Sequence, residues 1–157
     1  MSDDPELVVS VPLDSDGFLR RECPTCEREF KWLSSEEGDS EPPPESGFFC
    51  PYCAIQAPSD SWFTKPQLAL IDSTVNQEVI GPALKELGQR LRDIGRQSGG
   101  LLKVDLESDQ PRPADPLTEL DDMRRVDFAC HPTEPVKVVD DWTRPVHCLI
   151  CGTPSRP

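Results

Sequence analysis

Two C-x-x-C pairs, Cys23-Pro-Thr-Cys26 and Cys50-Pro-Tyr-Cys53, lie 23 residues apart and constrain this chain more than any other feature. One such turn sets two thiolates on the same side of a tight loop. Two turns facing each other complete a tetrahedral four-sulfur site, which suits Zn2+. A lone pair is weak evidence, whereas the repeat within one short segment is specific. The pattern predicts a metal-binding chain with ligands Cys23, Cys26, Cys50 and Cys53.

A third pair, Cys148-Leu-Ile-Cys151, is followed by Gly152, a residue suited to the left-handed turn that closes such a loop. Cys130 precedes Cys148 by a normal ribbon spacing, with 17 residues between them. The fourth ligand of this second set is His131 or His147. His131 is preferred, because it shares the turn with Cys130 opposite the Cys148/Cys151 loop. His147 directly precedes Cys148 on a predicted strand, which tends to turn its ring away. The second candidate set is therefore Cys130, His131, Cys148 and Cys151.

Around these cysteines the sequence divides into five stretches. Residues 1–16 are an acidic tail without Lys or Arg, in which Glu6–Leu13 reads as a short strand or a frayed end. Residues 17–60 form a first β unit, with a hairpin over 17–33 and Phe18, Phe30, Trp32, Phe48, Phe49 and Tyr52 as its small core. Within it, residues 34–46 hold five acids and three consecutive prolines and read as a mobile loop.

Residues 61–107 carry a helix and a short strand at 101–106. Thr64 and Gln67 fit a capping box. Leu68, Ile71, Val75 and Val79, then Leu84, Leu87, Leu91 and Ile94, recur at helical spacing. Gly81-Pro82 interrupts them, predicting one kinked helix or two over 66–97. Residues 108–118 are a proline-rich linker. Residues 119–157 form a second β unit, with strands at 125–129 and 135–139. The predicted fold class is α+β: two small β units flanking a central helix.

Thirty-six per cent hydrophobic residues and 18 prolines describe a chain poor in core, which metal sites would staple. The net charge of −13 opposes phosphate backbones and anionic membranes. The first residues lack a basic region and an apolar core, so no signal peptide is expected. No apolar run reaches membrane-spanning length. Seven cysteines without an export signal point to a reducing compartment, and a cytoplasmic location is expected.

The cysteine pairs and their spacing resemble the zinc-ribbon class of small metal-binding modules, well over 17–60 and less closely over 125–154. That resemblance implies two β ribbons, each closed on a structural zinc, one ion at the first set and a second at the other. The leading functional expectation is an interaction or adaptor module without catalytic activity. Its partner would be another protein, met through the basic helix face 85–96 or exposed aromatics. One alternative is an accessory nucleic-acid-associated ribbon using Arg20, Arg21, Arg28 and Lys31. A second is electron transfer, since the Cys-Pro-x-Cys turns are similar to those of rubredoxins, which hold iron. Rubredoxin turns place glycine after the second cysteine, where this chain has Glu27 and Ala54. Hydrolytic chemistry lacks its parts: the two histidines sit beside cysteines, and no G-x-S-x-G, H-E-x-x-H or Walker loop occurs. The paired acids Asp121-Asp122 and Asp140-Asp141 read as solvated charge.

Overall fold

The computed structural model describes residues 7–34, 44–101 and 112–155. The chain falls into two compact units. One comprises 1–10 with 66–116, and the other comprises 11–65 with 117–157.

The second of these holds every cysteine and is built on an antiparallel sheet. Strand β1 (Phe18–Glu22) pairs with β2 (Glu29–Leu33) as a hairpin across the first cysteine turn. Later in the chain β5 (Met123–Val126) pairs with β6 (Val136–Val139). The two hairpins join edge to edge through β2 and β6, giving the order β1-β2-β6-β5. The segments assigned from sequence to separate β units thus share one sheet and one compact unit. Two further two-stranded ladders complete it: β3 (Phe48–Phe49) with β4 (Gln56–Ala57), and β7 (Val146–His147) with β8 (Pro154–Ser155).

Strand alternation gives this sheet two unlike faces. On one face Phe30, Trp32, Val136 and Val138 join Tyr52, Trp62, Phe128, Val146 and Leu149 in a single apolar cluster. Trp62 is fully buried and meets the rings of Phe30 and Trp32 edge-on, at centroid distances of 5.7 and 6.3 Å. On the other face Arg20, Lys31 and Lys137 line up across adjacent strands. The segments 14–16 and 119–122 supply their counter-charges. Lys31 is wholly buried and bonds Asp14 (3.2 Å), Glu119 (2.9 Å) and the Leu120 carbonyl. Lys137 bonds Asp14 and Asp16, both at 2.7 Å. Arg20 pairs with Glu119, Asp122 and Glu29.

The other unit contains α1 (Lys65–Val75), a π-helical turn (Asn76–Ile80) and α2 (Gly81–Gln97), which follow one another without a break. The wide turn absorbs Pro82. The Gly81 amide bonds the Asn76 carbonyl five residues back, and Pro82 then sits in the first turn of α2, where its missing donor costs little. Residues 7–13 form no strand; Val8 is exposed and Pro12 removes a donor from the stretch. Most of the predicted mobile loop, most of the strand at 101–106 and the start of the proline-rich linker lie outside the described residues. No helix among the described residues is long and apolar enough to cross a membrane.

Candidate metal centres

Each cysteine pair sits on the same backbone device. In the first, the Cys23 amide bonds the Arg28 carbonyl and the Glu27 amide bonds the Cys23 carbonyl, both at 3.0 Å. In the second, Cys50 bonds Ile55 and Ala54 bonds Cys50, again at 3.0 Å. In the third, Cys148 bonds Thr153 at 2.9 Å and Gly152 bonds Cys148 at 2.8 Å. Closing such a turn requires a left-handed residue after the second cysteine. Gly152 adopts it freely at φ 70°. Glu27 and Ala54 adopt it as well, at φ 56° and 60°, although side chains disfavour that region. Glu27 and Ala54 thus take, without glycine, the left-handed backbone that Gly152 takes freely.

The first two turns face each other. The Sγ atoms of Cys23, Cys26, Cys50 and Cys53 all lie within 4.8 Å of one another. Cys23 is 3.8 Å from Cys53, and Cys26 is 3.7 Å from Cys50. A tetrahedron with metal–sulfur bonds of about 2.3 Å has edges of about 3.8 Å. Amides point at sulfur from inside the turns: Thr25 and Cys26 donate to Cys23 and Tyr52 donates to Cys50, each at 3.4 Å. Burial pushes the Cys50 thiol far above its ordinary range and the Cys26 thiol up to about 11. Burial also opposes ionisation of Cys23, but the amides of Cys26 and Thr25 and the neighbouring thiols outweigh it and lower its pKa. Four such groups cannot all ionise side by side unless a cation compensates them. The geometry and donor chemistry fit a metal ion held by four thiolates.

The second set converges equally. Ligand atoms of Cys130, His131, Cys148 and Cys151 lie within 4.8 Å of one another. Cys148 Sγ is 3.5 Å from His131 Nδ1, and Cys151 Sγ is 3.5 Å from Cys130 Sγ. His147 turns away, placing its Nδ1 3.1 Å from the Pro51 carbonyl. Burial raises the Cys148 thiol to about 11. The exposed Cys151 thiol, bonded to the Thr153 hydroxyl and amide, is lowered to about 6. The first set is thus largely buried, while Cys130 and Cys151 of the second face solvent.

The two centres are physically joined. The Phe49 amide bonds the Leu149 carbonyl at 2.8 Å, and the His147 amide bonds the Pro51 carbonyl at 2.9 Å. Gly152 packs so closely on the Phe49 ring that a Cβ there would stand 2.9 Å from it. Tyr52, between the ligands of the second turn, reaches the main sheet. Its hydroxyl donates to Glu29 O (2.8 Å) and accepts from Val139 N (3.1 Å). Those residues would face each other if the β2–β6 register (Lys31 opposite Lys137) continued by two more pairs. The phenol therefore bridges a gap in the ladder.

Sequence reasoning missed Tyr52's bridge, the burial of Trp62 and the ionic face. It grouped Arg20, Arg21, Arg28 and Lys31 as one basic cluster, and the fold disperses them. Arg20 and Lys31 are neutralised on the charged face. Arg21 stacks between Trp32 and Phe63 (4.5 and 4.9 Å), and Arg28 lies over Trp142 (5.1 Å). Asp121 and Asp122 are exposed, as the solvated-charge reading expects, and each also makes a surface contact. Asp122 pairs with Arg20 at 2.6 Å, and Asp121 accepts a bond from the Ser15 hydroxyl at 2.7 Å. A third gathering of carboxylates, Asp14, Asp16 and Asp121, is served by lysines: Asp14 holds Lys31 and Lys137.

Comparison with family models, with curated proteins and with solved structures gave no match.

Proposed function

We propose that this chain is a metal-stapled interaction module whose two centres hold structural zinc. The observation that carries the reading is the first sulfur tetrahedron. Its edges match the zinc–thiolate geometry, and four protein donors leave no coordination position for water or substrate. The second centre, with three sulfurs and one imidazole, is a closed set of the same kind. Zinc binding would supply folding energy to a unit whose apolar cluster is small. With the metal closed off and no nucleophile–base pair recognised in the sequence, the chain acts as a binding protein and not as an enzyme. Function then lies on surfaces, foremost the basic face of α2, which another protein would engage.

One observation favours a second reading. The left-handed backbone at Glu27 and Ala54 reproduces the turn that glycine permits in rubredoxins, and iron accepts the same four thiolates. Elemental analysis of protein purified without added metal separates the two. The structural-zinc reading expects about two zinc per chain and no visible colour. A red protein with about one iron per chain would transfer the first centre to electron transfer. A metal-free, fully folded protein would refute both.

A further inference from the structure

We infer that Cys130 and Cys151 form a peroxide-sensitive pair: joining them in a disulfide releases the ion of the second centre and leaves the first intact. This rests on the structural-zinc reading above and adds a modification site to it. The two sulfurs lie 3.5 Å apart. Both residues are exposed, while the other five cysteines are buried or half-buried. Their fellow ligands are withdrawn: Cys148 is fully buried and His131 half-buried, with 3.5 Å between Cys148 Sγ and His131 Nδ1. In the first centre Cys23 and Cys50 are buried and Cys26 and Cys53 half-buried. Amides of Thr25, Cys26 and Tyr52 also engage those buried sulfurs at 3.4 Å. The two centres share donor chemistry but differ in what a small solute can reach. Oxidation of thiolates follows access, so it selects the second centre.

The chemistry needs an exposed sulfur and no open metal position. The oxidant is hydrogen peroxide. One exposed thiolate attacks a peroxide oxygen, the O–O bond breaks, and a sulfenic acid and hydroxide result. The other thiolate, already in contact, attacks the sulfenic sulfur and expels a second hydroxide as the S–S bond closes. The two thiolates together give up two electrons, and the peroxide takes them. Only Cys148 and His131 then remain as donors, too few for the four-coordinate site of a structural zinc. Cys148 shares a turn with Cys151 and is the competing partner, but its burial beside the His131 ring leaves Cys130 the accessible one. The new bond links the two turns that the ion had joined, across 21 positions of sequence. It takes over the role of staple, so the Phe49–Leu149 hydrogen bond beside the first centre is kept.

The test treats the full zinc-loaded chain with hydrogen peroxide. A chromophoric chelator reads the released zinc, and differential alkylation with mass spectrometry maps the disulfides. One ion should leave and the other stay, with Cys130 joined to Cys151 and with Cys23, Cys26, Cys50 and Cys53 still reduced. Dithiothreitol followed by added zinc should restore the lost ion. Cys130→Ser removes the resolving sulfur, so its Cys151 should stop at the sulfenic acid, captured by dimedone, with no disulfide formed. The wild-type map decides the pairing even where that variant misfolds. Loss of both ions together, a disulfide between Cys148 and Cys151, or zinc that stays bound after Cys130 and Cys151 are joined would overturn the proposal. Zinc missing from the second centre before peroxide is added refutes the structural-zinc reading there and the proposal with it. A loaded second centre that resists peroxide as well as the first sinks this inference alone.

Discussion

Lys31 sits between Phe30 and Trp32, in a strand whose sequence reads as an ordinary amphipathic edge. Its ammonium is fully buried, and its partners Asp14 and Glu119 lie 17 and 88 positions away, so no local pattern announces them. Asp14 anchors the same network from the other side. Burial opposes its ionisation, but bonds from Lys137, from the Phe18 and Asp16 amides and from Lys31 outweigh that and hold its pKa at about 2. A carboxyl depressed below its unfolded value of 3.8 adds stability that is complete above that value and vanishes as pH falls toward 2. We expect Asp14→Asn to cost roughly 2 kcal/mol at neutral pH, with the gap to wild type closing between about pH 4 and pH 2. Denaturant midpoints measured along that pH series check it; a gap independent of pH would show that the charge of Asp14 contributes nothing. A second residue-scale expectation concerns Ala54, a non-glycine in the left-handed region. Ala54→Gly should raise stability by about 0.5–1 kcal/mol in the metal-loaded protein, read from the same midpoints. A decrease would mean that the strain is relieved by contacts of the methyl group.

At the scale of elements, legibility follows sequence distance. The β1–β2 hairpin and the three cysteine turns were readable because their signals lie within a dozen residues. The helices were readable from periodicity, and Pro82 was correctly seen as a disturbance, though its accommodation by a π-helical turn had no sequence signal. The pairing of β2 with β6 was not readable. It joins residues about a hundred positions apart, and each hairpin alone satisfies a plausible pattern. Even the side chain that completes this junction, Tyr52, was classed only as an aromatic of the small core. Its hydroxyl replaces a backbone bond between Glu29 and Val139. Tyr52→Phe keeps the ring packing and removes only that bridge. It leaves a partly buried carbonyl and amide without this partner, at a cost of about 1 kcal/mol. Thermal unfolding should register this as a lower midpoint with unchanged metal content. No change in Tm would mean that water takes over both groups.

For the whole molecule the decisive arrangement is that the two candidate metal centres share one compact unit. Had the ribbons been separate, as their sequence positions implied, each would gain and lose its ion alone. Instead, residues 147–149 of the second centre donate to and accept from the backbone of Pro51 and Phe49 beside the first. One turn of each centre, Cys23/Cys26 between β1 and β2 and Cys130/His131 between β5 and β6, belongs to the same four-stranded sheet. Cys148 is buried at this junction, 3.5 Å from the His131 ring. Replacing it with serine removes a thiolate, opens the third turn and loosens the support under Phe49. Cys148→Ser should therefore bind one equivalent of metal in place of two. The ion it retains should pass to a chromophoric chelator about five- to thirtyfold faster than the slow ion of the wild type, the effect of losing 1–2 kcal/mol of support. Cys130→Ser, at the exposed rim of the same centre, makes the comparison sharper. It removes a ligand without touching the Leu149–Phe49 contact, so its remaining ion should be less affected. Equal release rates in wild type and both variants would show that the centres are energetically independent, whatever sheet they share. Faster release in Cys148→Ser than in Cys130→Ser would place the coupling in the junction around Leu149 and Phe49, because both variants lose a ligand of the same ion.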